Sequence, residues 1–521
     1  MARLLHAILL PLLILAFAQC ATGPEPVPQD VTVEGDPDSA LAVALRAAGR
    51  VDDIFTQAFL YTQIANAYND AGLLLPASNV LDRSLDIAER EDVGAARAEI
   101  LVQVAGQYRA LDRINRTREL LREALSLTRT IEDESVRVLV LQQIISEAFR
   151  ADEELFDVLV ETLDHVYVVE HLPSRVDLLV DVARQYQESG LGQQVNTLVQ
   201  QAIAAATGIT NPWQKAAAYS TIARRLYVAG NQTQADLYVS RSLQEIEGVQ
   251  VLTRSPGEAV ELLAIADDFA AIGRFEEAET VLETVEFTSI RARGLSELGS
   301  RYLAQDMPEE ADRVFNEAVN IVALEGTDAQ FADIVSEIAN RFALAGRPAD
   351  ALSNAEVALV LVAEVDDEFT RTQVLSRLAE VFVSIERLDL AVEAVEELDS
   401  RAEAATLYAS LSRELLSVTQ VDDALRFIRP ALTAAEEAEG NTDAIYRDIA
   451  SLLSQLGRFD DAITVIDRIS TAFAQGQALV ELGRYSLIAG GLPDEQQARL
   501  NTLASQLAGE PGRIAPAAAA Q

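Results

Sequence analysis

From about residue 39 to residue 508 the chain is a succession of apolar stretches rich in Ala and Leu, each with one apolar stripe and each closed by a short turn. Ala and Leu are strong helix formers, and no long Val/Ile/Thr-rich alternating runs interrupt them, so the pattern predicts an all-α protein. The stretches come in pairs. The first member holds a small residue, then an aromatic or Leu three positions on. A turn follows, usually with Gly, and the second member begins with acidic residues and an Ala. The clearest copies are IADDFAAIGRFEEAETVLETV (265–285), IASLLSQLGRFDDAITVIDRI (449–469) and IANRFALAGRPADALSNAEVAL (338–359). RYLAQDMPEEADRVFNEAV (301–319) follows them with Asp306 in place of Gly.

Each mark has a physical reason. Small residues such as Ala65, Ala105, Ala183, Ala223 and Gly299 let two helices approach, and the aromatic beside them fills the gap. Gly72, Gly190, Gly230, Gly273, Gly346, Gly457 and Gly490 can take the left-handed conformation that ends a helix. The second-helix alanine stands at Ala77, Ala235, Ala278, Ala311, Ala351, Ala391, Ala424 and Ala462. Pro76, Pro308, Pro348 and Pro493 fall where second helices begin, where a missing N–H does no harm, and Pro430 sits mid-helix and should kink it.

In these marks the chain resembles the tetratricopeptide-repeat (TPR) family over nearly its whole length. The third pair (138–166) matches poorly, and the family's Trp and terminal Pro are mostly missing. The resemblance implies a right-handed α-solenoid of about twelve TPR-like helix pairs. Successive first small positions are most often 40 or 33 residues apart. That difference of seven residues is close to two helical turns, so both pair lengths keep their buried faces in phase within one array. Residues 39–50 read as a partial capping helix, and residues 509–521, GEPGRIAPAAAAQ, as a disordered tail.

Charge narrows the partners. The formal net charge is −41, from 82 acidic and 41 basic residues. Such a surface repels phosphates and argues against nucleic acid as a general partner. Lys215 is the only lysine. An acidic, lysine-poor surface fits work in high salt, where screening removes self-repulsion; the plainer account is a composition bias toward Arg and Ala.

The first 20 residues, MARLLHAILLPLLILAFAQC, have a positive Arg3, an apolar core and then small residues, the layout of a secretory signal peptide at 1–19. The sole cysteine, Cys20, follows that core directly, and the segment resembles a bacterial lipobox. The resemblance implies that Cys20 becomes an acylated N-terminus and the only membrane anchor. Gln19 departs from the lipobox pattern. The competing reading is an A-x-A site at Ala16–Ala18, which releases a soluble periplasmic protein. Residues 20–38, with prolines at 24, 26, 28 and 37, read as an extended spacer.

Candidate chemistry is sparse. His165 and His171 are six apart, not at the spacing of a metal pair on a helix, and no metal or cofactor is expected. The clusters Glu132-Asp133-Glu134 and Asp366-Asp367-Glu368 read as solvated turns. Gly190-Leu191-Gly192 reads as a helix turn, and no Gly-x-Ser-x-Gly elbow is present. The expectation is a non-enzymatic protein–protein interaction scaffold of the bacterial cell envelope, outer-membrane-anchored, with the alternative of a glycan-capturing lipoprotein. In the TPR family first helices line the concave wall, and the resemblance carries that role to Asn66, Arg184, Arg224, Asn340, Arg413 and Arg484, then to Asn69, Arg109 and Tyr227. Arg109, Arg150, Arg184 and Arg224 fall on or beside that wall in consecutive pairs. Guanidinium groups there suit a carboxylate-bearing peptide or protein. The competing reading is that they neutralise acidic neighbours across pairs.

Overall fold

The computed structural model describes residues 39–89, 94–190, 192–248 and 255–508. The signal segment, Cys20, the spacer and the tail lie outside them. The described residues form helices joined by turns, with no strand among them.

Helix α1 (Ala40–Ala48) precedes twelve pairs in sequence. They are α2 and α3 (Ile54–Asp70, Leu74–Ala88), α4 and α5 (Gly94–Ala110, Ile114–Leu127), α6 and α7 (Glu134–Phe149, Phe156–Val166), and α8 and α9 (Leu172–Glu188, Gly192–Thr207). Next come α10 and α11 (Pro212–Val228, Gln232–Gly248), α12 and α13 (Pro256–Ala271, Phe275–Glu283), α14 and α15 (Thr288–Ala304, Pro308–Glu325), and α16 and α17 (Asp328–Leu344, Pro348–Val362). The last are α18 and α19 (Glu368–Ser384, Leu388–Glu396), α20 and α21 (Arg401–Ser417, Val421–Glu437), α22 and α23 (Asp443–Gln455, Phe459–Ile466), and α24 and α25 (Ala472–Ile488, Asp494–Ala508).

The sequence marks occupy the places their chemistry requires. All eight second-helix alanines are fully buried, and Tyr68, Tyr108, Tyr186, Phe269, Tyr302, Phe342 and Phe382 pack beside the small residues. The seven turn glycines all have positive φ, between 70° and 92°. Asp112, Asp306, Glu386 and Thr419 adopt the same left-handed conformation in other turns. A side chain there costs about 1–2 kcal/mol relative to glycine, and for the β-branched Thr419 the strain is sharpest. The seven-residue length difference lies in the second helices. Those of the short pairs, α13, α19 and α23, have 9, 9 and 8 residues, against 15 in α17 and 18 in α15. Pro212, Pro308 and Pro348 each occupy a first helical position, and α21 runs on through Pro430.

The two acidic clusters are structural. Asp133 and Asp367 accept hydrogen bonds from backbone N–H groups at the starts of α6 and α18. Glu134 accepts from the backbone N–H of His171 at the start of the next first helix, at 3.2 Å. His165 is buried against the Thr128 hydroxyl at 2.8 Å, and burial, with the nearby Arg129, lowers its pKa. His171 caps α8.

The ends of the array meet. α24 packs on α2 as one first helix packs on the next, and it pairs with α1 rather than with its own successor α25. α1 therefore takes the outer position of the last pair, and α25 straps the outside of the joint, against α1 and α23. The helix expected as a cap is the piece that closes a ring. Its sequence suits that position. Eight of its nine residues are buried, all but Arg46, and a helix apolar nearly all round needs neighbours on several sides. Two glycines of α24 make room. A Cβ on Gly476 would lie 2.5 Å from the Leu60 side chain, and one on Gly483 would lie 2.5 Å from that of Leu41. Phe59 and Phe473 face each other with ring centroids 6.5 Å apart, Gln477 donates to Gln63 at 3.3 Å, and Arg484 pairs with Asp70 at 3.3 Å.

Candidate functional site

Neighbouring first helices touch at every step round the ring, whereas second helices seldom touch one another. The first-helix layer thus has the smaller circumference and forms the inner wall. Every wall residue named from the sequence lies on a first helix, or, for Arg150, at the end of one.

The four arginines of consecutive pairs are all ion-paired. Arg109 donates to Glu147 at 2.5 Å, and Arg150 reaches the other oxygen of the same carboxylate at 3.1 Å. Glu147 is buried, and a Cβ on Gly106 would crowd its carboxyl at 3.2 Å, so that glycine helps seat it. Arg184 stands 3.7 Å from Asp181, and Arg224 3.1 Å from Asp268. Arg109 and Arg224 bridge neighbouring pairs, while Arg150 and Arg184 reach acids on their own helices. Asn66 is half-buried and makes no side-chain hydrogen bond among the described residues. Tyr227 is exposed.

The same device repeats along the wall. Arg301 grips Asp267 through two nitrogens at 2.7 and 2.9 Å, Arg377 meets Asp333 at 2.8 Å, and Arg413 meets Asp448 at 3.6 Å. Where both partners are exposed, as in Arg184 and Asp181, such a pair is worth roughly 0–1 kcal/mol and tunes register more than it holds the ring. The hydrophobic contacts between helices do that.

One sector of the wall is rich in carboxylates. Asp177 and Asp181, one turn apart on α8, face Asp268 of α12 across α10. Asp268 accepts from the hydroxyls of Ser220 and Thr221, at 2.8 and 3.2 Å, as well as from Arg224. Asp177 is open to solvent at its surface, yet its carboxyl is pushed up to about 6. The surrounding protein displaces water first of all, and the charges of Asp181 and Asp268 add to it. Desolvation also raises Asp181, Asp268, Glu380, Glu414 and Glu481, all on first helices. Asp177 and Glu380, exposed yet crowded by protein, are what an enclosed wall presents.

Among the described residues no group of His, Cys, Asp and Glu is placed to hold a metal ion. No helix there is long and apolar enough to cross a membrane. Sequence reasoning found the arginines but missed Glu147 and Asp268, whose positions are not among the family's wall positions. It also missed Leu41, Gly476 and Gly483 at the joint.

No family model matches the chain, and no curated protein is similar to it in sequence. Among solved structures it is similar to Ton1535 from Thermococcus onnurineus NA1, at 17% identity over 63% of this chain and 98% of that one, with a TM-score of 0.29. A putative kinesin light chain of Podosopora anserina with TPR-like repeats is 23% identical over 37% of this chain and 96% of that one, with a TM-score of 0.24. A Rap protein complexed with competence and sporulation factor is 13% identical over 66% of this chain and 98% of that one, also at 0.24.

Proposed function

We propose that this protein is a non-enzymatic interaction scaffold that receives a segment of a partner protein against the inner wall of its ring. The observation that carries the reading is the closed inner layer of first helices, which turns Asn66, Arg184, Arg224 and Tyr227 toward an enclosed space. Twelve helices at the usual spacing of ~10 Å, followed round a circle, leave an opening of about 28 Å once their own thickness is subtracted. A single helix, ~10–12 Å thick, passes through it. A 100-residue domain, at roughly 34 Å across, does not. An extended or helical segment is the occupant that fits.

Replacing Arg184 and Arg224 by Ala together tests the wall. Capture of partners from envelope extracts should fall while the melting temperature changes little, since the Arg184 pair is exposed and Asp268 keeps the Ser220 and Thr221 hydroxyls when Arg224 is removed. Intact capture with lowered melting would make the arginines structural and sink this reading of them.

The envelope setting is part of the same proposal and rests on the leader and Cys20. Metabolic labelling with a fatty acid should mark the native protein and not Cys20→Ala. An unlabelled native protein whose mature chain begins at Gln19 would instead mean a soluble periplasmic scaffold.

A further inference from the structure

The outer face carries a second feature, independent of the inner wall. α21 is 17 residues long and its outer neighbour α23 only 8, so the flank of α21 is left partly uncovered. The result is a groove of about 650 Å³ between the two helices, floored by apolar side chains that include Ile428, Leu453 and Val465. Its walls carry four arginines. Arg426 and Arg429 stand one turn apart on α21, Arg458 precedes the first residue of α23, and Arg468 follows its last turn. Asp422 and Asp461 line it and Asp423 and Glu436 stand beside it, so four acids match the four arginines and this part of a chain with net charge −41 is locally balanced rather than acidic.

The arginines are not locked away. Arg426 pairs with Asp423 at 3.2 Å and Arg458 with Asp461 at 2.7 Å, each within one helical turn, and both guanidinium side chains are more than half exposed. Such pairs are weak and can be exchanged for an incoming carboxylate. Arg468 leans on Glu436 at 2.5 Å. Arg429 is exposed and has no ion-pair partner among the described residues.

We propose that this groove docks an acidic, amphipathic peptide segment of a partner protein. Carboxylates about one turn apart would meet Arg426 and Arg429, and apolar side chains between them would cover Leu425 and Leu432, the half-buried apolar residues of the lining. The observations favour a peptide over a bare phosphate. A peptide supplies apolar groups for the floor, and a phosphate does not. Guanidinium forks suit paired carboxylate oxygens, and an acidic segment is repelled by most of the remaining surface, which gives the groove its selectivity.

The test is fluorescence anisotropy on the whole protein, with a labelled four-turn peptide in which Glu recurs at helical spacing between Leu residues. The same peptide with Gln for Glu is the control. The Glu peptide should bind, and the Gln peptide should bind about tenfold more weakly or worse. Arg429→Glu, a change at an exposed and unpaired site, should weaken the Glu peptide at least about tenfold with no shift in melting temperature. Failure of the Glu peptide to bind overturns the proposal, as does equal binding by Arg429→Glu. Displacement by pyrophosphate at equal or lower concentration than unlabelled peptide would make the groove a phosphate site and overturn the peptide assignment.

Discussion

Gly483→Leu is expected to open the ring while leaving its helix pairs folded. A Cβ at residue 483 would lie 2.5 Å from Leu41 Cδ2 and 3.1 Å from the Leu41 backbone nitrogen, well inside contact distance. Something must shift, and the element free to swing is α1, nine residues joined to the rest of the described array at one end alone. The loss is large, because α1 buries Leu41, Val43 and Leu45, each worth about 1.5–3 kcal/mol of transfer free energy. Repeat arrays do not unfold as one unit, so the readout must be local. Hydrogen exchange of α1 and α24 should lose protection and the radius of gyration should rise, with nearly all far-UV helix signal retained. Gly299→Leu is the matched control: its Cβ would collide with the Phe315 ring at 2.3 Å inside one pair, far from the joint. It should destabilise that pair and leave the ring shut. Unchanged scattering and protection in Gly483→Leu would mean that the joint is not what holds the ends together.

Mild acid should stabilise the protein. A carboxyl whose folded pKa lies above its unfolded value binds its proton more tightly in the folded state, so it adds stability as pH falls between the two values. For Asp177 the window runs from about 6 down to the ordinary 3.8. A shift of that size corresponds to about 3 kcal/mol for a buried group, and to about 1 kcal/mol here once solvent screening of an exposed side chain is allowed for. Asp181, Asp268, Glu380, Glu414 and Glu481 are shifted the same way by desolvation. Burial of His165 opposes them as pH falls below 6.5, as one group against six, while Asp53 and Asp367 oppose them in stronger acid, since hydrogen bonds from Thr56 and Thr370 hold those carboxyls below their ordinary value. The melting temperature at pH 5 should exceed that at pH 7.5, and Asp177→Asn should shrink the gap. A native protein that melts lower at pH 5, or an Asp177→Asn variant with the full gap, would contradict the enclosed character of the wall.

Much of this architecture is legible in the sequence because it is local. A turn glycine, a small residue beside an aromatic and a proline at a helix start each depend on a few neighbours, and Gly72, Ala77 and Pro308 sit where their chemistry places them. Asp306 is legible as a glycine substitute. Thr419 is not, because nothing in a β-branched side chain announces a positive φ. The wall arginines are legible by position, but not their pairing: the partner of Arg224 is Asp268, 44 residues on, and only the register of neighbouring pairs brings them together. Closure is the hardest to read. It depends on a small rotation per pair, accumulated around the array, and an error at each step compounds. One hint was present all the same. ALAVALRAA has a single charged residue, whereas a free terminal cap needs a polar outer face.

The ring's joint also decides where the molecule gives way under load. Eleven of the inner helices are paired with the helix that follows them in the chain, but α24 and α1 are held only by packing and a few side-chain contacts. A tether leading into residue 39 would pull directly on α1. Force applied along the chain from that side therefore reaches the clasp before any other pair feels it, and the first thing it frees is a nine-residue helix. What remains is the same set of pairs as an open arc, with its inner wall exposed along one edge. Pulled from residue 39, a ring of this construction would convert tension into access to its interior.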